Sequence, residues 1–251
     1  MRKLLLKTAW QTLAAIGFLI VVWAILYFAA GNELLVPSLF DCLKEMGGLF
    51  ASSSFWMGLL MTFLRSIIAF AISFLFALIF AVISYMVPSL EKFFAPIVSA
   101  LRSLPVLAVL LILLSVLGVA EAPVAVAFLS LFPMLYTGIL AALSGIDSQV
   151  IAISRVHGAS VFTRIIRIYL PLSAPYILRE SGAALSFSLK LIVSAEVLAN
   201  TAKSLGGMMQ EAKIYAEISQ LFALVGVTFA LGLLLELSVS LLASAVEKRV
   251  K

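Results

Sequence analysis

Four ionisable side chains fall inside long apolar runs of this chain: Arg65, Lys190, Glu196 and Glu236. A charge so placed costs a few kcal/mol or more unless it pairs or reaches water, so these four are where chemistry is sought first. Two positive and two negative groups can neutralise one another. Arg65 and Glu196 each lie within about two helical turns of the extracellular end of their run, in the orientation derived below, and are the expected pair. Lys190 has two readings, as a partner for a buried carboxylate or as a cation offered to an anionic solute. Glu236 is the second carboxylate available for such neutralisation.

Other chemistries are excluded by the residues that are missing. No Gly-x-x-x-x-Gly-Lys-Ser/Thr run occurs, so the chain has no Walker-type cradle for nucleotide phosphates and any ATP must be hydrolysed on another subunit. His157 is the one histidine, which removes His-based metal sites and His-dependent triads, and it is expected to pack at a docking surface. Cys42 is the one cysteine, which removes disulfide frameworks and Cys-based metal sites. No cofactor and no metal are expected. Asp41 and Asp147 lie outside the apolar runs, so no intramembrane aspartate pair is available to an enzyme.

The elements that must position these residues follow from composition. Of 251 residues, 64% are hydrophobic and 12% charged, against about 45–50% and about 25% in soluble domains. A water-soluble globule is excluded, and lipid must cover much of the surface. The formal charge of +5 is scattered between apolar runs instead of gathered into a stripe, which excludes a nucleic-acid partner. Crossing about 30 Å of hydrocarbon takes about 20 apolar residues. Uncharged stretches long enough, or nearly so, separate Lys7 from Glu33, Arg65 from Glu91, Arg102 from Glu121, Glu121 from Asp147 and Glu217 from Glu236. A sixth run carries Lys190 and Glu196. The reading is six helical spans, at about 9–30, 57–86, 97–118, 122–143, 173–198 and 220–245. Runs such as 70–82 are apolar on every face, which excludes the alternation of a barrel strand. The first run is too long for a signal-peptide core and is read as a retained helix.

With six spans both ends share one side. Cytoplasmic termini place twelve Lys and Arg residues inside and only Lys44, Lys203 and Lys213 outside, so the positive-inside rule predicts that orientation. Ser66, Ser73 and Ser84 in the second span and Ser181, Gly182, Ser186 and Ser188 in the fifth supply small faces that suit close packing or the lining of a pore. The longest inside segment, about 144–171, interleaves Ile151, Ile153, Val156, Phe162, Ile165 and Ile166 with Arg155, His157, Arg164 and Arg167. Such a segment suits a helix lying on lipid headgroups or a docking element for another protein.

Within it, Gly158-Ala159-Ser160, followed by Leu170-Pro171 and Pro175-Tyr176-Ile177, resembles the cytoplasmic loop signature of ABC importer permeases. Leu35-Val36-Pro37-Ser38, Thr62-Phe63-Leu64-Arg65, Ala100-Leu101-Arg102-Ser103-Leu104-Pro105, Thr137-Gly138-Ile139 through Gly145-Ile146-Asp147, Lys190 with Ser194-Ala195-Glu196-Val197, and Ser204-Leu205-Gly206-Gly207 are similar, in order, to the nitrate/sulfonate/taurine branch of that family. One departure stands out: where the family has Glu-Ala-Ala, this chain has Ala152-Ile153-Ser154. The resemblance implies an all-α fold of the type I importer permease kind, a single transmembrane domain over 1–251, and a coupling helix between the fourth and fifth spans. It implies docking of ABC ATPase subunits on Ala152, Ile153, Ser154, Arg155, His157, Gly158, Ala159 and Ser160, with Pro171 closing the motif. It further implies a second permease copy, an extracellular or periplasmic solute-binding protein, residence in a bacterial or archaeal plasma membrane, and no covalent chemistry on the solute. The alternative is a gradient-driven secondary transporter or channel, which needs its own ion site and often an inverted repeat. No such repeat is visible between the halves.

Overall fold

The computed structural model describes residues 2–147, 149–150 and 160–250, with side chains described from residue 14 onward except at 16 and 248–250. Among the described residues every regular element is a helix: α1 Arg2–Ala30, α2 Leu39–Ala51, α3 Ser53–Met86, α4 Pro88–Ser103, α5 Val106–Leu117, α6 Ala122–Ser144, α7 Val161–Ala199, α8 Leu205–Ile214 and α9 Ile218–Val250. Four of them, α3, α6, α7 and α9, are long and apolar enough to cross a membrane, and the bent pair α4 and α5 makes a fifth candidate. The described apolar part of α1 is the shorter stretch Gly17–Ala30.

The inner core is built by α3, α6 and α7. Along α3 from Gly58 onward the buried positions are Gly58, Thr62, Ser66, Ala69, Ser73, Ala77, Ala81 and Ser84, at helical spacing and all small. Small side chains let α6 approach closely and bring Leu131, Leu135 and Ile139 into the seam. The hydroxyls of Ser66 and Ser73 donate to the carbonyls one turn back, Thr62 and Ala69, so they satisfy themselves and present a smooth face. Tyr136 of α6 donates its hydroxyl to Ser84 at 2.9 Å. The opposite face of α3, with Ile68, Ile72, Leu75 and Ile79, is open and apolar, as a lipid-facing surface must be.

Two expectations are corrected. The third span, expected as one helix over 97–118, is broken into α4 and α5, which meet at 91°. Pro105 has no N–H to continue the ladder and pushes the preceding residue out of the helical region; Leu104 is extended, at φ −65° and ψ 129°. The fifth span starts at Val161, not near 173, so the second half of the expected 144–171 loop is helix. A π turn at Ile165–Tyr169 allows this: Leu170 N–H reaches back five residues to the Ile165 carbonyl, and the wider register leads into Pro171 without a full α-helical turn against its ring. Two short helices that no span search can find, α2 and α8, also appear.

Candidate functional site

At one end of the bundle, α3, α7 and the start of α8 converge on Glu196. Its side chain is fully buried and meets Arg65 of α3, Nη1 to Oε1, at 2.8 Å. Thr62, one turn before Arg65, donates its hydroxyl to the other oxygen at 2.8 Å. The backbone N–H of Gly206 reaches the same oxygen at 3.3 Å, while Thr62 Oγ1 accepts from Leu205 N–H at 2.9 Å. A buried carboxylate is stable only when its lone pairs are met, and here a guanidinium, a hydroxyl and a helix N-terminal amide meet them.

The local sequence is what makes this convergence feasible. Asn200 closes α7 in the left-handed conformation, with Thr201 N–H returning to the Glu196 carbonyl. Ser204 then caps α8 by accepting from Gly207 N–H. A Cβ at Gly206 would sit 2.4 Å from Glu196 Cβ and 2.6 Å from the Val193 carbonyl, so only glycine lets the α8 amide come this close.

Lys190 stands apart from this cluster. It is exposed on the isolated chain and joins a stripe along α7 that includes Tyr176, Phe187 and Ser194. It has no salt-bridge partner among the described residues, and a Cβ at Gly232 of α9 would lie 3.9 Å from its Cε. Glu236 is exposed on α9 and likewise has no ion pair among the described residues; its backbone carbonyl packs near Gly182. Of the four intramembrane charges, the structure thus brings together Arg65 and Glu196 and leaves Lys190 and Glu236 separate. Next to the stripe, the corner between α4 and α5 encloses a cavity of about 290 Å³ bordered by Arg102, Leu104, Ser130, Met134 and Phe187.

Of the docking residues, Ala152, Ile153, Ser154, Arg155, His157, Gly158 and Ala159 lie outside the described residues. Ser160 caps α7 through Thr163 N–H, and Pro171 lies within α7 just after the π turn. Glu180 escapes the reading from sequence. It is half-buried in α7, and its carboxyl group fills the space over Gly138, where a Cβ would meet its Cγ at 2.6 Å. The α7 stripe through Tyr176, Phe187 and Lys190 is the signal that could have found it, since position 180 continues that spacing. No group of three or more His, Cys, Asp or Glu gathers as a metal site among the described residues.

Residues 73–251 match the family model described as binding-protein-dependent transport system inner membrane component. A probable ABC transporter permease protein of Brucella melitensis is 30% identical over 142 residues, covering 56% of this chain and 57% of that relative. A second from Brucella abortus is also 30% identical over 142 residues, covering 56% of each. The matched stretch thus spans little more than half the length of these relatives. Among solved structures, the fold is similar to an inward-facing conformation of the MetNI methionine ABC transporter, with TM-score 0.63 and 20% identity over 76% of this chain and 93% of that one. It is also similar to an amino acid ABC transporter solved with histidines, with TM-score 0.61 and 20% identity over 82% and 96% of the two chains.

Proposed function

The chain belongs to the family of binding-protein-dependent transport system inner membrane components, and on that premise we propose that it is the permease subunit of an ABC importer for small anionic solutes of the nitrate, sulfonate or taurine type. The observation that carries the permease reading is the family match over 73–251, joined to an all-helical fold of the importer kind. Two copies form the solute path, two separate ATPases dock on the segment 147–167, and an extracellular receptor delivers the solute. Both termini are cytoplasmic.

In this reading the chain itself performs no bond chemistry. ATP binding closes the ATPases and turns the docking segments, and the helix bundle passes between inward- and outward-facing states because ATP has different affinities for the two. The buried Arg65–Glu196 cluster is structural and holds the outer ends of α3 and α7 together with α8. Lys190 is the cation left over. Its exposure on α7 and its lack of an ion-pair partner among the described residues support a place on the solute path, where it draws in an anion.

Uptake tests this directly. The permease, the neighbouring ATPase and the neighbouring solute receptor are expressed together, with the solute identified from receptor purified in its bound form. ATP-dependent uptake is expected only when all three are present. Uptake by the permease alone, driven by an ion gradient, would overturn the reading. Reporter fusions after Lys251 and at Lys44 should give opposite sidedness, and equal sidedness would refute the orientation.

A further inference from the structure

Where α3 ends and α7 begins, the structure holds a cavity of about 330 Å³ lined by Tyr85, Met86, Val161, Arg164 and Tyr169. Arg164 is half-buried, and its Nε is withdrawn from solvent without any hydrogen-bond acceptor among the described residues. A guanidinium N–H removed from water and left unmet is unfavourable, so this position calls for an anion with more than one oxygen, which the planar fork of arginine matches in geometry. No carboxylate is among the described residues that line the cavity. Tyr169, itself buried, stands edge-on to Tyr85 with ring centres 5.6 Å apart and forms a firm aromatic wall.

The surroundings choose among anions. Val161, Phe162 and Ile166 are 46%, 73% and 49% exposed in the first turns of α7, next to Arg164 and the exposed Arg167. An apolar collar around a sheltered cation suits a ligand with a charged head and a hydrocarbon tail, and basic pockets at the cytoplasmic ends of spans are where anionic headgroups settle.

We propose that this cavity is a binding site for an anionic phospholipid, with Arg164 holding the headgroup phosphate and Val161, Phe162 and Ile166 lying along an acyl chain. The placement in the cytoplasmic leaflet rests on the orientation given under the proposed function; the chemistry of the site does not. Lipid bound here fixes the start of α7 against the end of α3, at the C-terminal end of the 147–167 segment that docks the ATPase in that reading.

The test uses the full chain, purified in mild detergent and reconstituted into nanodiscs of phosphatidylcholine with or without phosphatidylglycerol. Retained phosphatidylglycerol is counted by native mass spectrometry, and thermal unfolding is followed in parallel. The wild type should retain phosphatidylglycerol and unfold at a higher temperature when that lipid is present, while inorganic phosphate should leave the midpoint unchanged. Arg164→Gln should lower retention about tenfold, the change expected from removing a charge-assisted hydrogen bond. Arg167→Gln deletes the same charge outside the cavity and should retain the lipid. Should Arg164→Gln fold poorly, Arg164→Lys keeps the charge without the fork and should retain an intermediate amount. Equal retention by wild type and Arg164→Gln, or equal loss in Arg164→Gln and Arg167→Gln, would overturn the site. Stabilisation by inorganic phosphate alone would make it a free-anion site and overturn the lipid. Loss of ATPase co-purification from Arg164→Gln with lipid retention unchanged would assign the cavity to an acidic side chain of the ATPase instead. Retention in detergent is blind to leaflet, so a wrong orientation appears only in the reporter fusions and is not confused with failure of the site.

Discussion

Removing Arg65 should destabilise the end of the bundle where α3, α7 and α8 meet more than removing the charge of Glu196, because the two residues differ in what is left behind. Glu196 is fully buried and Arg65 is 14% exposed. Arg65→Met leaves the carboxylate with only the Thr62 hydroxyl at 2.8 Å and the Gly206 amide at 3.3 Å, two neutral donors for an ion far from water. Breaking a buried pair in this direction costs about 3–5 kcal/mol. Glu196→Gln keeps the shape and one acceptor oxygen, and the partly exposed Arg65 can turn to water, so the loss should be about 1–3 kcal/mol. Combining the two should recover part of the Arg65→Met loss, since no buried ion then remains. The double-mutant cycle therefore predicts a favourable coupling of roughly 2 kcal/mol, within the range for directly contacting residues. Thermal unfolding of the purified permease reads the ranking, and hydrogen exchange at the Leu205 and Gly206 amides reads the site, because both amides donate into this cluster. If Arg65→Met unfolds at the wild-type temperature with those amides equally protected, the cluster does not hold α8 and the reasoning fails.

Further outcomes follow from single positions. Gly206→Ala forces a Cβ to 2.4 Å from Glu196 Cβ and should destabilise by roughly 3 kcal/mol, the upper part of the overpacking range, with accelerated exchange in α8; a neutral result would contradict the close approach. Lys190→Met should depress uptake sharply while thermal stability stays within about 0.5 kcal/mol of wild type, as no ion pair is broken among the described residues. Full uptake by that variant would remove Lys190 from the solute path. Gly158→Leu should abolish co-purification of the ATPase while the permease still inserts, and unchanged recovery of the ATPase would leave the 144–171 segment with only a lipid-facing role. Cys42 is 5% exposed, and its thiol is pushed above the usual range by burial first and by Asp41 second. Maleimide labelling of folded protein near neutral pH should therefore be slow and should rise as pH is increased, and labelling as fast as a free thiol would show that the packing of α2 against α9 does not cover it.

Some of this arrangement is legible in the sequence and some is hidden for identifiable reasons. The Arg65–Glu196 contact can be read because both residues interrupt apolar runs at similar depth, and the cost of an unmet charge in hydrocarbon leaves few alternatives. Glu196 also needs the Gly206 amide, and backbone donors carry no letter in a sequence; Ser204-Leu205-Gly206-Gly207 reads as a turn when it is in fact the capped start of α8. The four long helices are legible from hydropathy. The corner at Leu104-Pro105 is not, since an apolar run scores as continuous whether or not its helix bends. Pro171 suggests a helix boundary and instead lies inside α7, where the π turn before it changes the register. Glu180 is missed because beside Arg179 it reads as half of a polar pair at the edge of a run; Arg179 instead bonds Glu247 at 2.6 Å, and Glu180 turns inward over Gly138.

The right angle between α4 and α5 has a dielectric consequence. At 1.5 Å per residue, the 12 residues of α5 reach roughly 18 Å, well short of the roughly 30 Å of hydrocarbon. Pro105 opens α5 with no side chain capping its first turn, and in hydrocarbon lipid could offer that polar backbone no hydrogen bond. That corner must therefore lie against protein or water instead of lipid tails. A charge held in the cavity beside Arg102 and Ser130 would sit where polar backbone has already been admitted, whereas α3, with 34 residues, is long enough to cross without such a break.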